Sequence, residues 1–586
     1  MKKIISKKQS AVLEGPKEYI IIGEMTYKDH YHLRKLLIFI MILIITLTCL
    51  QFNKAQSYNN YERVQFESSG SILYANLYYP SKTLNFQEKR PLIIYCHGIG
   101  SKRDFDLRIP IEFTKRGFFI AALDYQGHGE SGGNINNIDP ITGIPAIAQD
   151  CSNLLDKLET MSFYFDVNIS QIGLIGHSLG GMIILMNQAL DSRFRVNVAL
   201  APLVNFTPPR FGFVYNENLI NYIPVNLLNE ENTENLLIIH HENDEILDFT
   251  ENALTAQELT NCTVIKISGF LIGGGHQLFS NSILINSIEW FEQHFFNSAT
   301  LNGPIHITFY FNYILIFINI LLIFITIISL ISVSASLFFR KNNKFDKPRS
   351  FNYRKFNNSN KRRQVIKPIA YTGAFLLNWL IFERIFGMVG IIYGSVSMIL
   401  FFVVVKLVIY FKKSKNMRFN FILKEKIKSE FKIEYLIFTA MSAAYFIGIY
   451  MLFSFYYPFG FIWPSNFVVD FILGYLAFPV FLSVEILLRK VLYPSLKFLK
   501  SESSMNRILI ISTIIIMISL MGLMKKFSYF PSVLFMYIVF LLVIIQNTKI
   551  FQNVNSFYPV VIISFSIIQI FFATVLSNAI GVSIVL

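Results

Sequence analysis

Gly176-His177-Ser178-Leu179-Gly180-Gly181 follows the apolar run Ile172 to Ile175 and precedes the helix-like MIILMNQAL at 182–190. A serine framed by glycines at a strand-to-helix turn has the context of a G-x-S-x-G nucleophile elbow. The glycines let the chain turn sharply with the serine in an unfavourable backbone conformation, so its hydroxyl stands at a helix N-terminus. Ser178 is the candidate nucleophile. Short motifs also arise by chance, so this reading depends on the surrounding chain.

The chain has 586 residues, too many for one core, and two or more units are expected. A hydrophobic fraction of 53%, with 58 Phe and 15% charged residues, is too apolar for a wholly soluble protein and points to membrane spans. A net charge of +14 on a soluble face would suggest nucleic acid. Here the Lys and Arg residues cluster between long apolar runs, where the positive-inside rule makes the loops cytoplasmic, and no nucleic-acid partner is expected. Cys49, Cys96, Cys151 and Cys262 have no metal-ligand spacing, so neither a disulfide framework nor a metal site follows from them.

Residues 1–35 are polar and basic, and 36–52 carry the apolar block LLIFIMILIITLTCL. The block reads as an uncleaved signal anchor with the N-terminus inside; a cleaved signal is the alternative. Both send 53–305 to the outer side. There, apolar runs of five to eight residues alternate with amphipathic stretches, which predicts an α/β domain with a doubly wound, mainly parallel sheet. Strands are expected at Ile72 to Tyr78, Leu92 to Cys96, Phe118 to Leu123, Ile172 to Ile175, Val196 to Ala201, Leu236 to His240 and Val264 to Ile267. Helices are expected near Ile144 to Met161, Leu179 to Ala189, Glu251 to Leu259 and Ser282 to Phe296. The sequons at Asn168, Asn205 and Asn261 fall in this segment and agree with an outer location.

Residues 306–586 read as an all-α polytopic transmembrane domain of about eight spans. These are placed near 309–338, 366–382, 386–410, 434–455, 467–488, 508–524, 530–546 and 558–584. The loop from Arg340 to Arg363 has ten basic residues against one acidic and is assigned to the cytoplasm. Counting spans from it also puts the basic loops around 411–432 and 489–507 inside. The result is a multi-pass cell-membrane protein with nine spans and the C-terminus outside.

A nucleophilic serine needs a base, an acid that orients the base, and donors for the oxyanion. In a doubly wound sheet the acid and base follow the serine at carboxyl ends of strands. After Leu236 to His240 comes His241-Glu242-Asn243-Asp244-Glu245, and after Val264 to Ile267 comes a glycine-rich loop ending in His276. The order Ser178, Asp244, His276 results. Glu242 and Glu245 are alternatives to Asp244, and His240 and His241 belong to a strand end. The Leu179 amide, at a helix N-terminus, and the Ile99 amide in His97-Gly98-Ile99-Gly100 are the expected oxyanion donors.

With HGIG at 97–100, DYQGHGESGG at 124–133, GHSLGG at 176–181, Asp244 and His276, about residues 60–300 resemble the α/β-hydrolase fold, most closely its monoglyceride lipase and serine aminopeptidase branch. That resemblance implies a structural turn at Asp124 to Ser131, leaving His128 no catalytic role. It also implies a lid at 205–232. His241 departs from the glycine usual after the acid-bearing strand. The lid's aromatic and aliphatic content suits an acyl chain or apolar side chain, with Phe211, Phe213 and Tyr215 as expected substrate contacts; a loop packing on its own domain is the alternative.

The expected activity is hydrolysis of an ester of a lipid or acylglycerol, or of an amide, without metal or organic cofactor. The bilayer and a small-molecule ester, lipid or peptide are the expected partners, and oligomeric state is open. A serine aminopeptidase-type activity is the alternative, and a non-catalytic sensor or transporter is the rival from another class. Glu383, Arg384, Lys406, Asp470 and Glu485 lie near predicted turns or span ends, where snorkelling accounts for them. Gly390 to Gly394 reads as helix packing. A cysteine placed in 340–363 should react with impermeant reagents only from the inner side; reaction from outside reverses the orientation.

Overall fold

The structure, a computed structural model, describes residues 17–54, 61–80, 89–104, 106–269, 271, 274–297, 303–338, 361–386, 388–413, 428, 430–454, 467–492, 511, 543–551, 554 and 556–575. Eight strands form one sheet: β1 (Tyr61–Ser68), β2 (Ser71–Tyr78), β3 (Arg90–Cys96), β4 (Phe119–Asp124), β5 (Val167–His177), β6 (Val196–Leu200), β7 (Leu236–His241) and β8 (Thr263–Ile267). Their spatial order is β1-β2-β4-β3-β5-β6-β7-β8. β2 pairs antiparallel with both β1 and β4, and the remaining pairs are parallel. The α/β class with a mainly parallel sheet is therefore observed.

The strands read as continuous apolar runs because both faces are covered. β3 sends Ile93 and Tyr95 to one side and Leu92, Ile94 and Cys96 to the other, all buried. The first face packs on helices Arg108–Lys115 and Asn281–Phe296, where Phe113, Phe118 and Phe291 meet edge to face at 5.6 and 5.7 Å. The second packs on helices Asp150–Glu159 and Leu179–Leu190.

Several elements depart from expectation. β1 was not anticipated: only Val64, Phe66 and Ser68 turn inward, between exposed Glu62, Arg63, Gln65 and Glu67, as suits an edge strand. The helix Arg108–Lys115 has just eight residues and holds Pro110. The helix expected at 144–161 is a 3₁₀ turn at Ala146–Ala148 followed by Asp150–Glu159. The one expected at 251–259 is a wide turn at Thr250–Leu254 followed by Thr255–Thr260.

The helix Lys17–Lys54 precedes the sheet and Phe309–Phe338 follows it. They pack together, with Thr46 Oγ1 and Thr326 Oγ1 buried 3.0 Å apart. Among the described residues three helices are long and apolar enough to cross a membrane: Leu33–Gln51, Phe309–Ala335 and Ile369–Phe386. Shorter apolar helices include Ile392–Val405, Ile433–Ile449 and Tyr558–Ile567. The expected span at 467–488 is not continuous: Phe467–Gly474 gives way to a 3₁₀ turn at Tyr475–Ala477 and then Phe478–Ile486, with Pro479 in the first turn. The expected span at 508–524 apart from residue 511, most of that at 530–546, and the loop 341–360 lie outside the described residues.

Phe291 joins the sheet to two helices through ring contacts and is fully buried. Phe291→Ala should cost about 3–5 kcal/mol, seen as a lowered unfolding midpoint in denaturant; a loss under 1 kcal/mol would remove this cluster from the core.

Candidate active site

Ser178 sits between β5 and the helix Leu179–Leu190 at φ 56°, ψ −116°, a conformation that L-residues rarely adopt. The turn is held from both sides. The Ser178 amide donates to Leu200 O at 2.9 Å, and its carbonyl accepts from Met182 at 3.1 Å and Leu203 at 3.3 Å. Glycine is required by close approach: a Cβ on Gly176 would come 2.6 Å from Gly180 C, and one on Gly181 would come 2.8 Å from Pro202 Cα.

The loop after β7 and the loop after β8 converge on this turn. His276 Nε2 lies 2.9 Å from Ser178 Oγ, and His276 Nδ1 lies 2.8 Å and 3.0 Å from the two Asp244 oxygens. The carboxylate makes Nδ1 the protonated nitrogen, so Nε2 accepts the serine hydroxyl proton. Asp244 also accepts the Ile246 and Leu247 amides at 2.8 and 2.9 Å, and His240 Nε2 approaches at 3.1 Å. Burial opposes the Asp244 charge, but the hydrogen bonds from His240, His276 and Leu247 hold its pKa well below the ordinary carboxylate range. Ser178 and His276 are 6% and 3% exposed, so the hydrogen-bonded chain is nearly dry.

His97-Gly98-Ile99-Gly100 lies against the same turn. A Cβ on Gly98 would meet Ser178 Cβ at 3.4 Å and His177 Nδ1 at 2.9 Å. Ile99 is exposed at the tip of a turn closed by Ser101 N to Gly98 O, and Leu179 is the first residue of its helix. Neither the Ile99 nor the Leu179 amide donates to an acceptor among the described residues. Serine, imidazole, carboxylate and two unused amides near a helix N-terminus form a set suited to nucleophilic acyl transfer.

Residues 87–269 match the serine aminopeptidase (S33) family model. Platelet-activating factor acetylhydrolase of Cavia porcellus is 28% identical over 173 residues, 22% of this chain and 40% of that protein. Its counterpart in Canis lupus familiaris is 26% identical over 155 residues, 19% of this chain and 35% of its own. The chain thus spans well under half the length of these curated relatives. Among solved structures, acetyl xylan esterase 1 from Thermoanaerobacterium is similar over 42% of this chain and 93% of its own, at 17% identity and a TM-score of 0.30. The kinship of this segment is with serine hydrolases.

Other candidates fall elsewhere. Glu242 pairs with Lys266 at the surface. Glu245 accepts the His276 amide at 3.2 Å and lies against Gly274, whose φ is +94°. His241 donates from Nε2 to Gly269 O at 2.7 Å and packs where a Cβ on Gly275 would stand, 2.7 Å from Nδ1, so it braces the two loops against each other. His128 packs at a tilt against Tyr125 and His97, and its Nδ1 lies 3.3 Å from Gln126 O rather than facing Ser178 or His276. Asp124 accepts Arg103 N at 2.6 Å, Arg103 Nη1 and Glu130 N, so Asp124 to Ser131 is a braced turn.

The three aromatic residues expected as substrate contacts have different environments. Phe213 is 2% exposed and packed on Phe206, so in this conformation it belongs to the buried cluster. Phe211 packs edge-on against Phe206, and Tyr215 is 70% exposed. Short helices Glu217–Tyr222 and Pro224–Leu227 lie within 205–232, and Asn136 pins Gly212 and Val214.

The residue reading missed His177, the variable position of the motif. Its Nε2 donates to His276 O at 2.8 Å. Burial, and then His276, pushes its pKa down to about 3, so it stays neutral. Burial likewise takes His128 to about 3. An unfolded histidine protonates near 6.5, so the unfolded chain binds more protons below that pH and stability falls from about pH 6.5 toward 3, by at most about 1.4 kcal/mol per pH unit for each histidine. Asp104 and Asp150, raised to about 6 by burial, act oppositely between about 6 and 4. His177→Gln should therefore lose less stability on acidification than wild type; identical melting profiles from pH 7 to 4 would refute this.

Proposed function

We propose that the chain is a membrane-anchored serine hydrolase, with its sheet domain on the outer face, that cleaves an ester of a lipid or acylglycerol-like molecule. The observation that carries the reading is the unbroken hydrogen-bonded chain from Ser178 through His276 to Asp244. Ser178 Oγ attacks the substrate carbonyl while His276 Nε2 takes its proton, and Asp244 stabilises the resulting imidazolium. The amides of Ile99 and Leu179 receive the oxyanion, with the helix N-terminus adding partial positive charge. His276 then protonates the leaving alkoxide, the bond to it breaks, and an acyl-enzyme remains. Water, deprotonated by His276, releases the acid and restores Ser178.

Three observations support an ester. The acetylhydrolase relatives are by name enzymes that remove an acetyl group. Asp106, beside His177, is closed in a bidentate pair with Arg108, so it is not left to meet a substrate ammonium. The flanking apolar helices supply a tether to a bilayer. The description of the matching family model favours the second reading, a serine aminopeptidase.

A fluorophosphonate probe should label the wild-type chain in folded membranes and leave Ser178→Ala unlabelled, with activity reduced by at least about a thousandfold. An unlabelled wild type would favour a ligand-binding sensor or transporter. Faster turnover of N-terminal aminoacyl peptides than of acyl esters would select the peptidase.

A further inference from the structure

Cys96 and Cys151 are 55 positions apart in sequence, yet their Sγ atoms lie 3.5 Å apart and both side chains are 0% exposed. Each backbone is fixed by its own framework. Cys96 ends β3, in register with Leu123 of β4 and Gly176 of β5, and its carbonyl carbon lies 2.5 Å from where a Cβ on Gly180 would stand. Cys151 opens the helix Asp150–Glu159, and its amide donates at 3.1 Å to Asn187 Oδ1 on the helix that follows Ser178. The neighbouring Asp150 accepts Ser68 Oγ at 2.7 Å and Gln126 N at 3.0 Å. A single buried cysteine acts as a small apolar side chain. Two thiols held in van der Waals contact from separate elements are a preformed oxidation site.

We propose that Cys96 and Cys151 are a disulfide-forming pair, closed as the sheet domain folds on the outer face of the membrane. Oxidising compartments are where such bonds form and persist, and the oxidant is a protein or low-molecular-weight disulfide. One cysteine thiolate attacks a sulfur of that disulfide, forms a mixed disulfide and expels one oxidant thiolate. The second cysteine thiolate attacks the mixed disulfide, forms the Cys96–Cys151 bond and expels the other. The pair loses two electrons and two protons, and the oxidant becomes two thiols. Burial pushes the Cys151 thiol well above its ordinary range, so exchange takes place before the helix closes over it, and the finished bond is shielded from reductants. The bond ties the strand end before His97-Gly98-Ile99 to the second face of the domain.

The pairing does not depend on hydrolytic activity, so its readouts avoid it. Full-length chain is solubilised from membranes without reductant, denatured, alkylated with iodoacetamide and digested for mass spectrometry; a second sample is first incubated in an oxidised glutathione buffer. Linked Cys96 and Cys151 peptides are expected in both, with Cys49 and Cys262 alkylated. Dithiothreitol should lower the tryptophan-fluorescence unfolding midpoint by about 5–15 °C, and Cys151→Ser should abolish that redox dependence. Linkage in the glutathione sample alone supports the pair while counting against the outer location. Alkylation of both cysteines in both samples overturns the proposal.

Discussion

The close passage of four backbone segments at Gly176, Gly180 and Gly181 is the constraint on which the site depends. The strand β5, the helix Leu179–Leu190, the end of β3 at Cys96 and His97, and the turn at Pro202 approach so tightly that side chains at these positions would overlap backbone. Only that compression lets Ser178 stand at φ 56° with its hydroxyl clear of the sheet edge. The strain is local and is offset by the hydrogen bonds that hold the serine amide and carbonyl.

Everything else at the site arrives from loops that would be mobile without their braces. His276 is held at its side chain by Asp244, at its amide by Glu245 and at its carbonyl by His177. Three contacts fix one imidazole in position and tautomer. His241 fills the space beside Gly275 and reaches Gly269 O, tying the acid-bearing turn to the loop that ends at His276. Because Ser178 and His276 are nearly dry, each of these polar contacts acts in a medium of low dielectric, where a misplaced or missing partner costs most.

The helix Arg108–Lys115 connects the site to the apolar part of the chain. Arg108 lies 4.3 Å over the Phe279 ring and donates to Leu278 O, two residues beyond His276. Phe279 meets Phe309, the first residue of a long apolar helix, at 5.7 Å. Farther along, Glu112 accepts the Thr308 amide, and Arg116 pairs with Glu292 and reaches Gly303 O. The junction is thus continuous with the core: Leu50, Tyr78, Leu107, Ile307 and Phe309 share one buried cluster.

The sequence by itself determined the α/β alternation and seven of the eight strands, and it singled out Ser178, Asp244 and His276, which the fold brings within hydrogen-bond distance, because apolar runs, glycine turns and chain order are properties of neighbouring residues. It could not place β1, whose inward face has only Val64, Phe66 and Ser68, nor the packing of Phe213 against Phe206. Tertiary structure alone decided that Glu245 and His177 hold His276, that His241 braces the loop at Gly269 and Gly275, and that Cys96 meets Cys151. Each of those contacts joins loops or strands far apart in the chain, and no local spacing encodes a distance that only the packing of the sheet and its helices sets.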